Sequence, residues 1–166
     1  MRLILIVLLV FSFHSRGQVG VNRLGFQVGI NRMDFQVGLM YKYDHYLLKP
    51  FASLELGLNR TFFQNRIFPR VTFGGEYCLI KGEKLQVGPQ LSYSYSMLKV
   101  NKISSHMNQY NEIYGGLYLC AGGKLQFKMA LLTGWQNERF YSTITTKMSG
   151  ANTLGFTMNL GLNYAF

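Results

Sequence analysis

The chain has 166 residues, of which 14% are charged, 15% are aromatic and 18 are glycine, and its formal net charge is +10. A soluble domain carries about 25% charged residues, so water alone does not suit the whole surface of this one. Its 17 Lys and Arg residues are scattered rather than clustered, which argues against a nucleic-acid partner.

The amino terminus reads as an export signal. Arg2 supplies a positive start, and Leu3 to Phe13 is apolar apart from Ser12. Ser15-Arg16-Gly17 puts small residues where a signal peptidase reads. The expected organisation is therefore a cleaved signal peptide over residues 1–17 and one domain over 18–166. The apolar run is about half of what a spanning helix needs. Without Arg2 and Arg16 the net charge is about +8.

Eight segments then alternate with a period of two, which places their odd and even side chains on opposite faces of a strand. Near Arg23 to Asn31, Leu24, Phe26, Val28 and Ile30 oppose Gly25, Gln27 and Gly29. From Asp34 to Tyr46, Phe35, Val37, Leu39, Tyr41 and Tyr43 oppose Gln36, Gly38, Lys42 and Asp44. From Phe51 to Phe63, Ala52, Leu54, Leu56 and Leu58 oppose Ser53, Glu55, Gly57 and Asn59. From Ile67 to Ile80, Val71, Phe73, Tyr77 and Leu79 oppose Arg70, Thr72, Gly74 and Glu76.

The fifth segment, Glu83 to Leu98, sets Leu85, Val87, Leu91, Tyr93, Tyr95 and Met97 against Gln, Gly and Ser. The sixth, Tyr110 to Cys120, is the weakest, because Tyr114 and Tyr118 blur its polar face. The seventh runs from Lys124 to Trp135, with Leu125, Phe127, Met129 and Leu131 on one side. The eighth, from about Thr153 to Phe166, is the cleanest. Leu154, Phe156, Met158, Leu160, Leu162, Tyr164 and Phe166 alternate with Gly, Thr, Asn and Ala.

None of these apolar faces holds a charged residue. Arg or Lys at mid-depth on a lipid face costs about 2–4 kcal/mol, so a bilayer would enforce that absence. The opposite faces are small and polar, which suits the narrow interior of an eight-stranded barrel. A soluble ligand-binding barrel would invert the two faces. The fold class expected is all-β: a transmembrane antiparallel up-and-down barrel of eight strands.

The connections fit this reading. Leu47 to Pro50, Lys81-Gly82 and Ala121-Gly122-Gly123 are short and carry Gly or Pro. They are expected on the periplasmic side. Lys99 to about Gln109 and Gln136 to Asn152 are expected as long outer loops, and Asn31 to Met33 as a short outer turn. Arg60, Arg66, Lys99, Lys102, Arg139 and Lys147 fall in or near the outer loops. They would suit anionic lipid headgroups or lipopolysaccharide.

Inward charges need partners in so narrow a lumen. Lys42, Glu55, Glu76 and Lys128 are expected at similar depth near the periplasmic end, with Lys42 and Glu55 nearly opposite one another. Arg70 and Glu112 are expected higher. Balanced in sign, these six would form a network of salt bridges that plugs the barrel. Cys78 and Cys120 are expected inward but a strand apart, at roughly 10 Å between Cα atoms, too far for a bridge. Tyr164, Phe166, Phe51, Tyr77 and Leu79 are expected at the periplasmic interface. Tyr93, Tyr95, Trp135, Phe62 and Phe63 are expected at the outer one.

Catalytic chemistry is poorly supported. Ser104, Ser105, His106 and Glu112 include the types a Ser-His-acid enzyme uses, but nothing in their spacing enforces hydrogen-bond reach. No metal-ligand cluster, cofactor loop or nucleic-acid module is present in the sequence, so neither enzyme activity nor a cofactor is expected.

The ending Gly161-Leu162-Asn163-Tyr164-Ala165-Phe166 is similar to the carboxy-terminal signal of outer-membrane barrels. Over nearly all of residues 18–166 the chain resembles the small eight-stranded OmpA/OmpX-like group. That resemblance implies Tyr164 and Phe166 as the aromatic positions read by the barrel assembly machinery. It also implies an integral place in the outer membrane. A peptidoglycan-binding domain after the barrel is not expected. The expected role is structural or interactive, presenting basic outer loops to lipid, a ligand or a partner membrane protein. A small channel and a lipid-modifying enzyme are the alternatives.

Overall fold

The computed structural model describes residues 20–31, 34–45, 47–59, 66–82, 84–99, 107–142 and 147–166. The expected signal peptide, together with Arg60, Phe62, Phe63, Lys102, Ser104, Ser105 and His106, lies outside them.

Eight long strands form the wall. They are β1 (Val21–Asn31), β2 (Asp34–Asp44), β3 (Leu48–Asn59), β4 (Arg66–Tyr77), β6 (Leu85–Lys99), β7 (Met107–Gly122), β8 (Leu125–Ser142) and β9 (Lys147–Ala165). A two-residue strand, β5 (Ile80–Lys81), pairs with β6 at the rim. Each wall strand pairs antiparallel with its sequence neighbour, β4 with β6 among them, and β1 pairs with β9 to close the circle.

The pairings set the shear. Starting at Asn163, successive cross-strand partners are Gly25, Met40, Ser53, Thr72, Ser94, Glu112, Gln136 and finally Thr153. The path returns to β9 ten residues from where it left. With eight strands and normal strand spacings, that stagger tilts the strands by about 40°. It leaves an interior just wide enough for side chains.

Alternation decides the two faces. Leu24, Phe26, Leu39, Leu54, Leu56, Phe73, Leu91, Leu117, Leu131 and Leu162 point outward and are exposed. Arg23, Lys42, Glu55, Arg70, Glu76, Glu112 and Lys128 point inward and are buried. Arg139, on the upper part of β8, is the charged side chain of a wall strand that is exposed among those described.

Three expectations about strands and belts need correction. Gln136 to Asn152 is not a long loop. β8 and β9 stay paired out to Ser142 and Lys147, and Asn137 Nδ2 donates to Asn152 Oδ1 at 2.6 Å across the hairpin. Likewise Lys99 and Met107 are already paired strand residues. Phe51 is not in an interfacial belt. It shares the inward parity of Ser53 and Glu55 and is buried in the lumen, with Lys128 Nζ 4.6 Å from its ring centroid.

Tyr114 and Tyr118, which blurred the sixth segment, also point inward and are each 1% exposed. They pack with Cys120, Ala130 and Leu132 into the apolar part of the lumen. Gly155 makes room for one of them. A Cβ there would meet the Tyr114 ring and hydroxyl at 2.5–3.1 Å. At the opposite end Gly122 has φ +120°, a conformation that side chains disfavour, and it lets β7 turn into β8.

Candidate functional site

The inward charges form two tiers. The one nearer the short turns centres on Glu76, which is fully buried. Its Oε1 lies 2.5 Å from Lys128 Nζ, and its Oε2 lies 3.1 Å from Lys42 Nζ. Lys42 also reaches Asp44 Oδ1 at 3.8 Å and Cys120 Sγ at 3.8 Å. Asp44 accepts from Arg23 Nε at 2.6 Å and lies 3.6 Å from Lys49 Nζ. Lys49 donates in turn to Gln86. Arg23 Nη1 donates to the carbonyls of Gly123 and Lys124 at 3.1 and 3.2 Å, tying this tier to the β7–β8 turn.

The second tier centres on Arg70. Arg70 and Glu76 are six positions apart on β4, about 20 Å along the strand. Arg70 Nε faces Glu55 Oε2 at 3.3 Å, Nη1 faces Asp34 Oδ2 at 3.8 Å, and Nη2 pairs with Glu112. Glu55 Oε1 accepts from Gln27 Nε2 at 2.6 Å and from Ser53 Oγ at 2.5 Å. Gln36 Nε2 donates to Asp34 Oδ1 at 2.7 Å, and Gln136 donates to Glu112. A guanidinium suits this position because its planar fork can face several carboxylates at once.

All six sequence-derived lumen residues are therefore buried in ion pairs, but they are grouped differently from the expectation. Lys42 is opposite Phe51, and Glu55 is opposite Gly38, four residues farther up the hairpin. The cause is the tight β2–β3 connection, where pairing resumes at once through a His45–Leu48 bridge. Glu55 therefore belongs with Arg70 and Glu112, whereas Lys42, Glu76 and Lys128 stay together. Arg23, Asp34 and Lys49 were not singled out from the sequence, and Asp44 was set on the inward face without being placed in the network. Their parity within the strands was the signal that could have found them.

Between the tiers lies a cavity of about 10 Å³, space for about one water molecule. Gln27, Glu55, Arg70, Gln90, Tyr114 and Asn159 are among its lining residues. Thr72 and Ser94 hydroxyls close one side at 2.8 Å from each other.

The remaining candidates have simpler places. Cys78 and Cys120 are buried and unbridged. His45 stacks on Tyr43 with centroids 5.9 Å apart. Tyr77, Leu79, Tyr164 and Phe166 project outward at the short-turn end. Trp135 projects outward toward the other end, where its indole N–H donates to Asn152 Oδ1 at 3.4 Å. Among the described residues no group of His, Cys, Asp and Glu could hold a metal.

A closed antiparallel barrel with exposed leucines outside and ion pairs inside is built for hydrocarbon, not water. In lipid every backbone polar group must be satisfied internally, and a closed barrel does this. The chain is thus a transmembrane β-barrel of the outer-membrane type. No family model matches the sequence, and no curated protein matches it significantly. Solved structures do. The N-terminal β-barrel domain of Pseudomonas aeruginosa OprF is similar with a TM-score of 0.58 and 14% identity, over 89% of this chain and 100% of that one. Neisserial surface protein A is similar with a TM-score of 0.51 and 10% identity, over 89% of this chain and 97% of that one. At such identities the likeness is one of fold.

Proposed function

We propose that the protein is a plugged scaffold of the outer membrane, with a structural or interaction role. The short turns face the periplasm in this reading, and the strand ends beyond Trp135 face outward. The strand ends on that side carry Arg139, and in this reading Arg60, Arg66, Lys99, Lys102 and Lys147, in or near the outer loops by their place in the sequence, would join it in presenting positive charge to lipid headgroups, lipopolysaccharide, a ligand or a partner membrane protein. Tyr164 and Phe166, at the end of β9, would be read by the barrel assembly machinery during insertion.

The observation that carries this reading is the filled lumen. Two tiers of ion pairs lie across it, and the cavity between them lined by Glu55, Arg70 and Tyr114 has room for about one water molecule. The six network residues then serve to hold the wall shut. Glu112, the acid of the enzyme alternative, is engaged by Arg70 and Gln136 inside the barrel. That engagement supports a structural part for it. Planar-bilayer recording of the purified barrel tests the reading. It should show no large, stable conductance. Stable ion current through single barrels would favour the channel alternative.

A further inference from the structure

The lumen charges are not evenly divided. Around Asp44 and Glu76 stand four cations: Arg23, Lys42, Lys49 and Lys128. Around Arg70 stand three carboxylates, of Asp34, Glu55 and Glu112. The lumen is therefore positive in the tier nearer the short turns and negative in the tier around Arg70. Buried charges are screened less by salt than exposed ones, so this surplus reaches the nearby rim.

The rim adds to it. The β4–β6 connection carries Lys81 and Lys84, both exposed, with Glu83 between them in sequence. The β7–β8 turn carries Lys124, also exposed. The two turns are joined, because Gly122 N–H donates to the Lys84 carbonyl at 2.8 Å. Lys124 is tied to the last strand, its carbonyl accepting from Ala165 N–H at 2.9 Å and its ammonium lying 5.2 Å from the Tyr164 ring centroid. Tyr164, Leu85 and Leu125 are exposed outward beside these lysines. Ammonium groups thus stand at the edge of the surface that acyl chains cover.

We propose that this joined pair of turns, with Lys81, Lys84 and Lys124, is a binding site for anionic phospholipid in the leaflet it faces. The headgroup phosphate would meet the ammonium groups, and the acyl chains would lie on Leu85, Leu125 and Tyr164. Lysines near an anionic bilayer surface are attracted to it individually, and here three act on one patch backed by a positive lumen. The apolar neighbours select a lipid over a soluble phosphate. The inference rests on the membrane reading, whose failure would show separately in detergent electrophoresis, where a folded barrel runs as a band whose mobility shifts on boiling.

The test uses the folded barrel in phosphatidylcholine vesicles, with trace spin-labelled phosphatidylglycerol or spin-labelled phosphatidylcholine. Electron paramagnetic resonance reads the motionally restricted fraction of each label. The restricted fraction should favour phosphatidylglycerol several-fold, and high salt should reduce the preference. The triple variant Lys81→Gln, Lys84→Gln, Lys124→Gln should lose the larger part of it. These lysines are exposed on turns and rim, and the gel band verifies that the variant is folded. Equal restriction of the two labels by the parent barrel would overturn the proposal. So would a preference that is undiminished in the triple variant.

Discussion

Glu76→Gln should destabilise the barrel by about 3–5 kcal/mol, because it leaves buried cations without their carboxylate. Glu76 bridges Lys128 at 2.5 Å and Lys42 at 3.1 Å, and all three side chains are at most 3% exposed. Lys42 would retain Asp44 at 3.8 Å. Lys128 would retain the Phe51 ring, whose centroid lies 4.6 Å from its Nζ, but, among the described residues, no second carboxylate in an ion pair. An amide at position 76 can accept a hydrogen bond but cannot balance two ammonium charges. Adding Lys128→Met to Glu76→Gln should recover part of the loss, since one fewer buried charge is stranded. Equilibrium unfolding in urea, with the barrel in lipid vesicles, gives both values. An unchanged midpoint for the single variant would mean that this tier is not held by Glu76.

The second large effect is on the outer wall. Leu54 is 69% exposed, near the middle of β3, and paired with Leu39 and Val71. On a water-facing wall, Leu54→Arg would change stability by no more than about 0.5 kcal/mol. On a lipid-facing wall it should cost about 2–4 kcal/mol. The same unfolding measurement distinguishes the two. Ser53→Ala, one residue away but inward, has another cost. It removes a hydrogen bond to Glu55 instead of placing a charge in hydrocarbon.

Which parts of this were legible in the sequence follows from where the two faces differ chemically. Inside the bilayer, outward positions must be apolar and inward ones polar or small, so alternation alone marked eight strands and their sidedness. Beyond Trp135 both faces of a strand meet water. There Asn137, Arg139, Gly150 and Asn152 lose the contrast, and paired strand looked like loop. The apolar interior was also hard to read, since Phe51, Tyr114 and Tyr118 are aromatic residues at inward positions.

The lumen network was legible in membership but not in grouping. Parity alone turns Lys42, Glu55, Arg70, Glu76, Glu112 and Lys128 inward. Depth depends on register, and register depends on how tightly each hairpin closes. The β2–β3 connection is closed at His45–Leu48, which lifts Glu55 from the level of Glu76 to that of Arg70. A tilt of about 40° adds to the difficulty, because residues level with one another on neighbouring strands are not cross-strand partners.

The most direct test of the central claim is the electrophoretic mobility of the protein recovered from outer-membrane fractions, run in detergent with and without boiling. A closed barrel resists detergent until heated, so recovery in that fraction with a heat-dependent shift is the predicted result. Recovery as a soluble periplasmic protein with one mobility under both conditions would contradict it, and would mean that the leucine-rich wall is not facing lipid.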